Sequence, residues 1–196
     1  MRIIAVDGPR GSGKTTLVKQ LSEELNLPFL SFPSIPLKDP KRVQSVDWND
    51  IDSVMKYNME FYNDFVSVNS TLRLSNRIYL CDRYILSNLT HYHFDMAENG
   101  FSNAWLFVSK VMYMLYNNGL VAKPICQIYL TGNTNQPVPK FDDNKYKNQE
   151  TAIKGYYDLE IDAIQNYCGI KTNRVLSYHS GNNAFEECKT LISSLI

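Results

Sequence analysis

Residues 1–21 read MRIIAVDGPRGSGKTTLVKQL, and within them Gly8 to Thr15, GPRGSGKT, fit G-x-x-x-x-G-K-[ST] at every fixed position. The six residues before the motif, RIIAVD (2–7), form a short apolar run suited to a buried strand. After it, KTTLVKQLSEEL (14–25) places Leu17, Leu21 and Leu25 at helical spacing, so a helix opens inside the motif. Strand, glycine loop and helix in that order make a phosphate-binding loop. Successive backbone N–H groups of residues 9–14, together with the helix N-terminus, are expected to form a concave positive nest for phosphate oxygens. Gly8, Gly11, Ser12 and Gly13 build that nest. Lys14 is placed to reach the β- and γ-phosphates of ATP, the Thr15 hydroxyl to ligate Mg²⁺, and Thr16 to add a phosphate contact. The unusual member is Arg10, in a loop whose other non-glycine residues are mostly small.

Working outward, 196 residues suffice for one well-buried domain and are short for two, so residues 1–196 are expected to form a single domain. Charged residues make up 20% and the formal net charge is zero. That balance disfavours a broad basic surface for nucleic acid and leaves room only for a local basic groove. The four cysteines (Cys81, Cys126, Cys168, Cys188) contain no CxxC pair, so reduced thiols are expected rather than a zinc site or a disulfide framework. No apolar run is long enough to span a bilayer, and the N-terminus does not read as a signal peptide. A cytoplasmic location without membrane partners is the expectation, and a homodimer is compatible with it.

Further along, PFLSFP (28–33), RIYLCD (77–82), PICQIYL (124–130) and RVLSYHS (174–180) read as strands. Helices are expected over about 49–74, from about Ser87, over 102–118, over 149–167 and from Ala184, while 131–148 is polar and loop-like. Alternating strands and helices imply an α/β fold: a three-layer sandwich in which a parallel five-stranded sheet carries helices on both faces. Ligands of such sheets collect at the carboxyl ends of the strands. Asp82 and Arg83 fall on that edge beside the glycine loop, Asp82 to orient a water on Mg²⁺ and Arg83 to clamp an acceptor phosphate bidentately. Most aromatics at helical spacing, Phe107, Tyr113, Tyr116 and Tyr156 among them, are expected in the core. Phe32 and Tyr84 are the candidates to stack on a base, and His91 and His93 are expected to be structural.

The phosphate loop alone does not separate kinases from GTPases or motors. The chain lacks a guanine-reading N/T-K-x-D, lacks DxxG after a strand, and follows the third-strand acid with Arg instead of a second acid. A transferase acting on a small acceptor fits best. Here LCDRYILSN (80–88) resembles the DRY-x-x-S segment of thymidylate kinases, SFPS (31–34) the F-P segment after their second strand, and NQETAIKGYYDL (148–159) their post-lid helix. The sister deoxynucleoside kinases share the architecture and carry a comparable acid-Arg-Ser segment. The resemblance implies an ATP- and Mg²⁺-dependent kinase in the P-loop class. Its acceptor side would draw on Phe32, Arg42, Asn58, Tyr62, Arg83, Tyr84 and Ser87, and a lid at about 131–148 would bring Lys140 and Lys145 to ATP.

Mechanism bears on the acceptor. A nucleoside hydroxyl needs a general base, which deoxynucleoside kinases place after the second strand; this chain has Ser31-Phe32-Pro33-Ser34 there, with Asp39 the nearest acid. A monophosphate is already an anionic nucleophile and needs cations, which Lys38, Lys41 and Arg42 in that loop supply. The expected reaction is phosphorylation of a deoxynucleoside monophosphate, dTMP or a related pyrimidine. Alternatives are a deoxynucleoside kinase with Asp39 or Asp82 as base, a polynucleotide or DNA-base kinase, and a non-catalytic nucleotide-binding regulator. The sequence departs from the thymidylate kinases at Arg10, where they keep a sugar-binding acid, and at Ile35, where they keep an arginine. It also has lysines (Lys140, Lys145, Lys147) in place of lid arginines. Arg10 is therefore expected to attract acceptor phosphate or a base edge, and small size with a lysine-rich lid would suit a viral enzyme.

Overall fold

The computed structural model describes residues 2–9, 11–31, 45–47, 49–72, 76–131, 143–176 and 183–196, with the side chains of 71–72 and 143–151 excepted. The apolar run after the first methionine forms β1 (Arg2–Asp7), the central strand of the sheet. It is followed by α1 (Lys14–Leu25), β2 (Phe29–Ser31), α2 (Ile51–Leu72), β3 (Ile78–Asp82), α3 (Ile85–Glu98) and α4 (Ser102–Asn117). The chain then forms β4 (Pro124–Leu130), α5 (Asp143–Cys168), β5 (Thr172–Val175) and α6 (Ala184–Ser193). The five strands are parallel in the order β2-β3-β1-β4-β5.

The period-two alternation of a strand sorts β1 between two layers. Ile3 and Ala5 pack with Cys81 and Tyr129 beneath α2, α3, α4 and α5, where the core is rich in tyrosine and phenylalanine. Ile4 and Val6 pack with Leu80, Ile128 and Val175 against α1 and α6, where it is aliphatic. Both faces of the sheet are thus covered, which is why its strands read as continuous apolar runs. The three-layer α/β sandwich expected from the sequence is the fold observed.

Several boundaries differ by a residue or two, and three differences are instructive. Helix α5 starts at Asp143, so six residues assigned to the polar segment 131–148 are helical. These six, DNKYKN, carry no apolar stripe to reveal a helix, and their Asp and Asn residues read as turn formers. The last strand begins at Thr172 and not Arg174, because α5 ends at Cys168, Gly169 turns at φ 69°, and pairing with β4 starts at Gln127–Thr172. Helix α3 opens at Ile85, two residues before Ser87. The core assignment holds for Tyr113 and Tyr116, 7% and 2% exposed, but not for Phe107, 56% exposed on the outer side of α4. All four cysteines are buried and unpaired with one another. No helix among the described residues is long and apolar enough to cross a membrane.

Candidate active site at the carboxyl edge of the sheet

The carboxyl ends of β1 and β3 are neighbours in the sheet, with Val6 opposite Asp82. The phosphate loop therefore leaves β1 beside the Asp82–Arg83 turn. Gly8 must be glycine: its φ is 152°, and a Cβ there would lie 2.5 Å from the Leu130 carbonyl oxygen of β4. Gly13, at φ 86°, caps α1 in a left-handed conformation, and Leu17 N–H bonds its carbonyl at 2.9 Å. Pro9 has no N–H to give, so the donor nest expected across the loop begins beyond it. Its carbonyl is used instead, accepting from Ser12 N–H at 3.3 Å and from Lys14 Nζ at 2.5 Å.

Lys14 is 4% exposed and also reaches Ser12 Oγ at 3.3 Å. Burial, then the repulsion of the Arg83 guanidinium, lowers its pKa to about 7, against the opposing pull of Asp82 and Asp7. Two cations held together in a partly dry site form a field that an anion would relieve. Arg83 itself sits at φ 67°, rare for a residue with a side chain, its N–H fixed on the Val6 carbonyl at 3.0 Å. Thr15 Oγ1 donates to Asp82 Oδ2 at 2.5 Å, while Asp82 Oδ1 is buried with no partner among the described residues. The Asp82 carboxylate thus faces the loop threonine.

The cap of α3 comes from a residue the motifs do not include. Tyr84, its N-cap, has no side-chain capping bond. Asp7 at the end of β1 supplies one instead, its Oδ1 accepting from Tyr84 N–H at 2.9 Å and Ser87 N–H at 3.0 Å. These are donors that a helix start otherwise leaves unpaired. Burial raises the Asp7 pKa, opposed by the Ser87 hydroxyl, the two N–H groups and Arg83. The second unforeseen residue is Tyr157 of α5. It is fully buried, with its hydroxyl 2.9 Å from the Gly8 carbonyl oxygen and 3.2 Å from Ser87 Oγ. Asp7 carried one sequence signal, a carboxylate closing an apolar strand as Asp82 does. Tyr157 carried none, since its spacing with Ile161, Ile164 and Cys168 is that of a core stripe.

The acceptor-side expectations divide. Tyr84 is 1% exposed, its ring 5.2 Å from Phe65 and its hydroxyl bonded to Asn69 and the Ala122 carbonyl, so it is a core residue and not a base platform. Tyr62 is 4% exposed and donates to the Val108 carbonyl at 2.9 Å, joining α2 to α4. Ser87 is buried within the Asp7–Tyr157 network and does not line an open surface. Asn58 is buried, its Nδ2 bonded to the Val54 carbonyl at 2.7 Å and its Oδ1 without a partner among the described residues. Thr16 is exposed on the first turn of α1, and the backbone of Lys145 lies in the first turn of α5. Arg10, Phe32, Arg42 and Lys140 lie outside the described residues, as do Asp39, Lys38 and Lys41.

A phosphate loop after the central strand of a parallel sheet ordered β2-β3-β1-β4-β5, faced by an Asp-Arg turn on the neighbouring strand, defines the fold of the P-loop nucleoside and nucleotide kinases. Solved structures agree. The chain superposes on deoxyadenosine kinase from M. mycoides, solved with dCMP and dCDP, with a TM-score of 0.68 at 16% identity over 99% of this chain and 100% of that one. It superposes on thymidylate kinase from Ehrlichia chaffeensis with a TM-score of 0.60 at 13% identity, covering 99% of this chain and 97% of that one. No model of a known protein family matches the sequence. No curated protein matches it either.

Proposed function

We propose that the protein is an ATP- and Mg²⁺-dependent phosphotransferase whose acceptor is a deoxynucleoside monophosphate, dTMP or a related pyrimidine nucleotide. The observation that carries this reading is the convergence of Lys14, Thr15, Asp82 and Arg83 on one sheet edge. Lys14 and the loop N–H groups hold the donor phosphates, and Arg83 faces them as the cation for the acceptor phosphate. The Thr15 hydroxyl, its proton directed to Asp82, keeps lone pairs free, and the unpartnered Asp82 Oδ1 adds a second hard oxygen. That donor set, Thr15 Oγ1 and Asp82, fits Mg²⁺, which when bound would offset phosphate charge. Lys140 and Lys145 are assigned to the ATP side; Arg10, Phe32, Arg42 and Asn58 are assigned to the acceptor.

Among the described residues, the two carboxylates at this edge favour a monophosphate over a nucleoside. A 5′-hydroxyl must lose its proton to a base, yet Asp82 holds Thr15 and Asp7 caps α3. The second reading, a deoxynucleoside kinase using Asp39 or Asp82, is favoured by the likeness to deoxyadenosine kinase. The test is to supply ATP and Mg²⁺ with a panel of nucleosides and monophosphates and to resolve the products. Diphosphate from a pyrimidine monophosphate is expected. Monophosphate from a nucleoside as the faster product would transfer the assignment to the second reading, and no product from any acceptor would overturn both.

A further inference from the structure

Tyr157 stands apart from the stripe it belongs to. Ile161, Ile164 and Cys168 of α5 end in the apolar core, but Tyr157 carries a hydroxyl to the phosphate loop, 149 residues away in sequence. Its ring is stacked on Tyr129 of β4, with centroids 4.9 Å apart and planes at 29°, so both the ring and its direction are fixed. Burial pushes the phenol far above neutral pH, and it remains a donor. A phenol has one proton, and the Gly8 carbonyl can only accept, so the 2.9 Å contact is a bond from Tyr157 to Gly8. Ser87 Oγ lies 3.2 Å from the same phenol oxygen, which seats Tyr157 against α3, and the Ser87 N–H bond to Asp7 already joins β1 to the helix that follows the Arg83 turn.

The Gly8 carbonyl is the group whose direction matters. It precedes a proline, stands at the entrance to a loop that must present N–H groups to phosphate, and belongs to a glycine at φ 152°. A carbonyl dipole turned into the nest would oppose the phosphate charge. We propose that Tyr157 is a positioning residue for phosphoryl transfer: its hydroxyl pins the Gly8 carbonyl outside the phosphate nest and ties it through Ser87 to the turn that carries Arg83. One residue of α5 thus sets donor-loop geometry and the spacing to the acceptor cation together. This role rests on the phosphotransferase reading, so its test includes a measurement that needs no nucleotide.

The variant is Tyr157→Phe, which keeps the ring and its stack and removes only the hydroxyl. Amide hydrogen exchange on the nucleotide-free protein is expected to accelerate in peptides covering 8–15 and 83–88 while α2 and α4 stay protected. The melting temperature is expected to fall by about 2–4 °C, the cost of one buried hydrogen bond in a chain of this size. ATP affinity is expected to drop about tenfold, together with turnover. Ser87→Ala should loosen the 83–88 segment, and adding it to Tyr157→Phe should cost less than the two separate effects combined. Unchanged exchange in both peptides overturns the tie, whether or not the wild type phosphorylates any acceptor. Faster exchange with wild-type ATP affinity and turnover shows Tyr157 to be structural only and overturns the positioning role. Faster exchange in Tyr157→Phe, together with a wild type that transfers no phosphoryl group, counts against the proposed function alone.

Discussion

Two polar clusters, one among the helices on the aromatic side of the sheet and one at its carboxyl edge, are finished to different degrees. Between α3, α4 and α5, Glu160 (2% exposed) meets His93 Nδ1 at 2.7 Å and the Tyr113 hydroxyl at 3.3 Å, while His93 stacks on Trp105 with centroids 4.9 Å apart. Both carboxyl oxygens have partners, and every residue involved lies on a helix. At the carboxyl edge, Lys14 and Arg83 repel one another, Asp82 Oδ1 has no partner among the described residues, and Arg83 holds a left-handed backbone. A cluster that satisfies itself holds helices together. One that keeps an unpaired oxygen and two like charges is stable only because the sheet and Asp7 hold it, and under the proposed function a phosphate anion and a cation would complete it.

The contrast breaks if removing the basic side chain has the same consequence in both places. Lys14→Met is expected to lower phosphoryl transfer by about a thousandfold, the loss typical of a preorganised charge on the reacting group. Its melting temperature should hold or rise, because a buried, repelled cation is removed. His93→Leu is expected to do the reverse: it leaves the Glu160 carboxyl short of a partner and should cost about 2 kcal/mol of stability. Turnover per folded molecule and the acceptor KM should remain at wild-type values. Denaturant titrations alongside steady-state rates check both, and a His93→Leu enzyme with intact stability and impaired turnover would move that cluster into the active site.

The same contrast explains which parts of the molecule the sequence made legible. Strands were visible because burial on both faces makes each an apolar run, and the phosphate loop because its requirements at Gly8, Gly13 and Lys14 are met by neighbours in sequence. The acceptor side was less so. Tyr62 and Tyr84 were reasonable candidates by position, but their hydroxyls are taken by Val108 and Ala122 carbonyls far along the chain. Asp7 and Tyr157 went unseen for the same reason, since their partners are 77 and 149 residues away. Spacing along one helix fixes which face is buried, not whether a buried tyrosine ends against a core carbonyl or the first glycine of a phosphate loop.

The smallest expected effect is the finest test of the unfinished cluster, because it follows Lys14 in the wild-type protein by pH alone. With its pKa lowered from the ordinary 10.5 to about 7, Lys14 binds fewer protons folded than unfolded between those values. Stability therefore rises with pH across the window from about 7 to about 10.5, and below it the burial cost is present in full. Phosphate binding works in the opposite sense, since an anion beside the ammonium favours the charged form and lifts the pKa back up. ATP binding at pH 8 should take up a large fraction of one proton, and affinity should weaken as pH rises from 7 towards 9. Calorimetry in buffers of different ionisation enthalpy measures that uptake directly. In Lys14→Met the Lys14 share of the uptake should vanish, and the stability slope above pH 7 should flatten. Uptake unchanged in that variant would mean that another group near the loop carries the proton, and that Lys14 is charged before the nucleotide arrives.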